Sequence, residues 1–135
     1  NTATAVTPTD STNPVPTFNQ GTIKAGTYFL TKRTYYTGAG THTLTAVTST
    51  LKITVVGSVA TLNIIEGTAR YTLTITMSSN TANAPTEEKL TCTSDQAVSG
   101  PTGTITGAID YDMGATLFTA YLPGTHVRNE YTIQP

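Results

Sequence analysis

The chain has 135 residues, with seven Lys and Arg against eight Asp and Glu and a formal net charge of −1. That length favours one domain, and the lack of a basic excess argues against a nucleic-acid partner. Charged residues make up only 11% of the sequence, and 33 threonines fill the gap.

Threonine is β-branched, so it suits a pleated strand, and its hydroxyl keeps a surface wet without ions. A lone cysteine, Cys92, excludes an intrachain disulfide and any CxxC metal or redox site. No apolar run approaches the roughly 20 residues of a membrane helix.

Residues 1–25, NTATAVTPTDSTNPVPTFNQGTIKA, set Pro8, Pro14 and Pro16 in a Thr/Ser/Asn background. This composition predicts an extended arm: a tether, or a strand donated to a neighbouring subunit, against which the prolines speak. At Gly26 the character changes and a domain over 26–135 begins. Gly26 to Tyr36 reads as a long strand turned at Gly38-Ala39-Gly40, and Thr41 to Val47 as the next strand. Leu51 to Val55 alternates with period 2, Gly57-Ser58 marks a tight turn, and Val59 to Ile65 returns as a hairpin. After Glu66-Gly67, Tyr71, Leu73, Ile75 and Met77 alternate with Thr72, Thr74 and Thr76, one face core and the other threonine.

Residues 78–86 read as a polar loop, Leu90 and Cys92 as a short strand, and Ser99-Gly100-Pro101 as a turn. Thr102 to Asp110 is a weak Gly-rich strand. Ala115 to Leu122 is a strand ended by Pro123-Gly124, and His126 to Ile133 closes the domain. Short strands at regular spacing with Gly/Pro turns predict an all-β domain, and the short connections favour a meander. The expected fold is a single antiparallel up-and-down β-barrel of about eight strands, with a β-sandwich as the alternative. An eight-strand barrel is wide enough for side chains or one small ligand.

The opening Gly26-Thr27-Tyr28 resembles the G-x-W start of lipocalin-like (calycin) barrels, with Tyr in place of Trp. Arg128 stands where those barrels place a basic residue over the ring. The segment 26–135, from GTYFLTKRTYYTG through LKITVVGSVATLNI to the final strands, is similar to the small Thr/Gly-rich β-barrel lipoproteins of some Gram-negative bacteria. The resemblance implies a secreted or outer-membrane-surface location.

Catalytic and metal chemistry finds little footing. His42 and His126 have no H-x-x-x-H or H-E-x-x-H spacing. Asp110 and Asp112 share a face if extended and are the candidate calcium ligands, but Gly114 points to a turn rich in local hydrogen bonds. Cys92 shares parity with Leu90 and reads as an inert core thiol. No G-x-S-x-G elbow or phosphate-binding Gly loop occurs. The reading is therefore non-enzymatic, with no catalytic residue and no cofactor.

The aromatics remain. Tyr35 and Tyr36 must face opposite sides of a regular strand, and with Arg33 and Tyr121 they are the candidate ligand-binding residues. The expected role is to bind a small ligand or mediate surface contact, the partner being a small apolar molecule or another surface protein. An apolar ligand would sit in a cavity lined by Leu30, Ile53, Leu73, Ile75 and Leu117. The competing expectation is a structural subunit of a filament, coat or matrix that self-assembles through residues 1–25.

Overall fold

Alternation of apolar residues with threonine sets the strands. The computed structural model describes residues 2–19, 21–77, 85–91, 110–122 and 124–135. Among them run β1 (Thr9–Ser11), β2 (Gly26–Tyr36), β3 (Ser49–Val56), β4 (Val59–Glu66), β5 (Ala69–Met77), β6 (Pro85–Thr91), β7 (Asp110–Met113), β8 (Leu117–Leu122) and β9 (Val127–Ile133). The neighbour order is β6-β5-β4-β3-β2-β9-β8-β7, with β1 added to β2 off this path. Every pairing on the path is antiparallel. From β2 to β6 and from β7 to β9, strands adjacent in sequence pair in space, and β9 returns to β2, with β6 and β7 at the two ends of the path. That is the order of an up-and-down barrel, and it belongs to one continuous sheet rather than the two of a sandwich. The all-β sheet curls into a half-barrel.

The β3–β4 hairpin follows the sequence closely. Val56 pairs with Val59 across Gly57-Ser58, and Gly57 at φ 59° takes the positive-φ first position that suits the twist of a two-residue hairpin. Gly67 at φ 57° repeats this between Glu66 and Ala69. Inward from β3 and β4 point Leu51, Ile53, Ala60 and Leu62, each no more than 2% exposed. On the opposite face Thr54 pairs with Thr61 and Thr61 with Thr74, a row of β-branched neighbours that covers the sheet without ions.

Three expectations are corrected. Thr41 to Val47 forms no strand: only Val47 bridges, to Val6. The reason is that β3 pairs with β2 only over Gly26–Phe29, while β1 occupies the same edge over Thr34–Tyr36, in parallel. Asp110 and Asp112 lie in strand β7, and the turn comes later, closed by the Gly114 amide donating to the Leu117 carbonyl at 2.8 Å. Leu117 pairs with Thr132 and so shares a face with Thr119 and Tyr121, while Phe118 and Ala120 enter the core. Cys92 and residues 99–109 fall outside the described residues.

A bulge in β2 decides what lies inside the polar end of the half-barrel. Leu30 pairs with Tyr131 and Lys32 with Glu130, so Thr31 is the extra residue. Before it, Tyr28 and Leu30 face inward. After it the parity flips, and Arg33 and Tyr35 face inward while Lys32, Thr34 and Tyr36 face out.

The segment preceding β2 lies along its own barrel. After β1, Pro14 and Pro16 cross over the outer face of β2 and β9, beside Lys32, Thr34, Tyr36 and Arg128. Phe18 then stacks on Tyr121 of β8 at 5.6 Å, and the Asn19 amide donates to the Asp112 carboxylate of β7. Ile23, 2% exposed, joins the main core before Gly26. Proline suits this path, since an extended strap outside the ladder needs no N–H from it. The strap explains why β8 is buried on both faces: Thr119 and Tyr121 are 2% and 6% exposed despite facing outward.

Candidate functional site

The strap leaves a groove of about 350 Å³ against the sheet. Its lining combines Thr9, Asp10 and Ser11 of β1, Asn13, Pro14 and Pro16 of the strap, Lys32, Thr34 and Tyr36 of β2, and Arg128 of β9. The β2 contributors alternate and so stand side by side on the outer face. Arg128 sits between its cross-strand neighbours Thr34 and Tyr121. Hydroxyl, amide, ammonium, guanidinium and carboxylate groups thus surround one concavity, with proline and tyrosine rings as its apolar walls.

The cations of the groove are loosely held. Glu130 lies 3.7 Å from the Lys32 ammonium and 3.4 Å from Arg128 Nη2. Both separations exceed a good charge-assisted hydrogen bond. The Arg128 Nε is buried and has no hydrogen-bond partner, the one such side-chain atom among the described residues.

A second hollow of about 220 Å³ adjoins the first, lined by Asp10 to Thr12, Tyr35 to Gly40 and His42. His42 stacks on Tyr35 at 3.9 Å. Its Nε2 lies 2.7 Å from Asp10 Oδ1 and its Nδ1 2.8 Å from the Gly40 carbonyl. Two acceptors face the two ring nitrogens, which is the arrangement an imidazolium satisfies. The hydrogen bond that Asp10 accepts, then that accepted by the Gly40 carbonyl, hold the His42 pKa above its ordinary value. Ser11 lines the same hollow.

The raised His42 pKa fixes a sign. A group whose pKa is higher folded than unfolded stabilises the folded form below its unfolded pKa, and loses that contribution as pH rises through its folded pKa. The Asp10–His42 pair ties β1 to the 37–48 connection, so the tie weakens as His42 loses its proton. Amide exchange at Val6 and Val47, which bond each other reciprocally at 2.7 and 2.9 Å, is expected to lose protection as pH rises through the raised His42 pKa. The loss should exceed that of core amides in β3 and should vanish in His42→Gln. Equal pH profiles in parent and variant would refute the assignment.

The sequence-derived candidates divide. Tyr35 and Tyr36 do take opposite faces. Tyr36, 7% exposed, lines the groove and meets Tyr121 edge-on at 6.1 Å. Tyr35 lines only the second hollow. Tyr121 is covered by Phe18, and its hydroxyl lies 3.3 Å from His126 Nδ1. Arg33 is inside the half-barrel, its Nη1 and Nη2 donating to both Glu66 oxygens at 2.8 and 2.6 Å and its Nε to Asn129 at 2.7 Å. Burial disfavours its charge, but the Glu66 hydrogen bonds and charge prevail and raise its pKa. Asp110 faces Tyr121 across the ladder, and Asp112 holds the strap. Among the described residues no group of three or more His, Cys, Asp or Glu gathers to hold a metal ion.

Of the cavity-lining set, Leu30, Ile53 and Leu73 are packed in the core, beside Tyr28 and Phe118. Asp10, Ser11, Asn13, Lys32 and Thr34 escape a sequence reading, and Arg128 enters one only through the barrel resemblance. The only local signal is Pro14-Val15-Pro16, which marks extended chain without saying what it lies on. No family model, no curated protein and no solved structure matches the chain.

Proposed function

We propose that this is a non-enzymatic binding domain of a cell surface or secreted protein, and that it holds a small polyhydroxyl ligand in the groove between the strap and the outer face of β2 and β9. The observation that carries the reading is the lining itself: four hydroxyl or amide side chains, Thr9, Ser11, Asn13 and Thr34, interleave with Lys32, Asp10 and Arg128 around about 350 Å³. Such a site pairs with hydroxyls in both donor and acceptor senses, and its volume lies in the range of small-molecule sites. Surface location rests on the Thr-rich, charge-poor composition. Assembly by exchange of residues 1–25 between copies is the competing proposal. The pairing of β1 with its own β2 favours a segment that serves its own chain.

The test is an amide-shift titration with neutral and acidic mono- and disaccharides. Saturable shifts are expected at Thr9 to Asn13, Lys32 to Tyr36 and Arg128. If no sugar shifts these amides, or if shifts cluster at the Gly57-Ser58 tip instead, the reading fails.

A further inference from the structure

The geometry points to a carboxylate on that ligand, bound through Arg128 and Lys32: a hexuronate or a residue of an acidic polysaccharide rather than a neutral sugar. This inference rests on the groove being the binding site. Three observations carry it.

First, the charge lining the groove is two cations, Lys32 and Arg128, against one carboxylate, Asp10, and that carboxylate is already engaged by His42 at 2.7 Å. Second, Arg128 has an underused edge. A guanidinium Nε and its neighbouring Nη present parallel N–H groups to a carboxylate. Here Nε has no partner and Nη2 has only the long 3.4 Å contact to Glu130. A buried donor without an acceptor is costly, so an acceptor that draws the edge into the groove gains more than one offered to a satisfied group. Third, Lys32 is exposed and loosely held: its side chain is 57% exposed and 3.7 Å from Glu130. A ligand carboxylate would displace these weak contacts while its hydroxyls meet Thr9, Ser11, Asn13 and Thr34.

Glucuronate, galacturonate and digalacturonate are compared with glucose by calorimetry and amide shifts on the full chain at low salt. The acids are expected to bind at least tenfold more tightly than glucose, and more weakly as salt rises. Arg128→Gln should remove most of that preference. Lys32→Gln, at an exposed side chain that folding does not depend on, should reduce it several-fold. Tighter binding of digalacturonate than of the monomer identifies the polymeric source, and equal binding the free acid. If glucose shifts the groove amides as strongly as the acids, or if both variants keep the acid preference, the carboxylate inference is overturned while the groove reading stands. If no sugar perturbs the groove, both fall.

Discussion

Phe118→Ala is expected to lower the unfolding free energy by about 4 kcal/mol, seen as a fall in the urea midpoint at unchanged m value. Phe118 is 1% exposed and packs between β2 and β7, the strand at one end of the sheet path. Its ring centroid is 6.4 Å from that of Tyr28 on β2 and 6.1 Å from that of Tyr111 on β7. Tyr28 is itself 0% exposed, with its hydroxyl donating to the Lys24 carbonyl at 2.9 Å. Rings anchored in this way cannot collapse into the space a missing phenyl leaves. The cavity term therefore adds to the lost transfer energy instead of relaxing away. Phe118→Leu, which keeps most of the volume, should cost only about 1.5 kcal/mol. Equal losses for Ala and Leu would mean that shape, not cavity volume, governs the site.

Glu66→Ala should cost about 3 kcal/mol. The Arg33 side chain is 10% exposed and that of Glu66 29%, so removing the carboxylate leaves a guanidinium without its counter-charge, bonded to Asn129. The partial exposure of Glu66 places the cost at the low end for a buried pair, because water reaches the vacated position. The paired replacement Arg33→Met with Glu66→Leu is expected to recover to within roughly 1 kcal/mol of the parent, since neither charge is then left alone. Calorimetric unfolding of the two singles and the double closes the cycle. If the double is as unstable as Glu66→Ala, the pair is needed for more than mutual neutralisation.

The parts of this fold that a sequence discloses are those set by neighbours in the chain. The Val56/Val59 hairpin needs only period-2 alternation and a glycine that accepts positive φ, and both are visible within ten residues. The alternation of Leu73 with Thr72 and Thr74 likewise gives the right faces. The bulge at Thr31 is different. Nothing in Leu30-Thr31-Lys32 marks it, yet it moves Arg33 inside and Lys32 outside. A strict alternation carried from Tyr28 would have buried the lysine. Residues 1–25 carry no periodicity because their contacts follow no ladder beyond Ser11. Pro8 is fully buried, but only the sheet beneath it could reveal that. The groove and the Arg33–Glu66–Asn129 set are assembled from strands far apart in sequence, so no spacing rule could have collected them.

The antiparallel pairing of β2 with β9 governs the order of events during synthesis. Arg33 bonds a residue 96 positions later, and the Asn19 amide one 93 positions later. Local hairpins such as β3–β4 can form as they leave the ribosome, but β2 waits with one edge unpaired until Ile133 has emerged. Loop closure over such separations is slow. During that delay the early strands display open backbone edges of β-branched sequence, the surface on which nascent chains join one another. β1, already made, covers the other edge of β2 over Thr34–Tyr36, beyond the part that β3 pairs, so along β2 the main exposure is the edge that awaits β9.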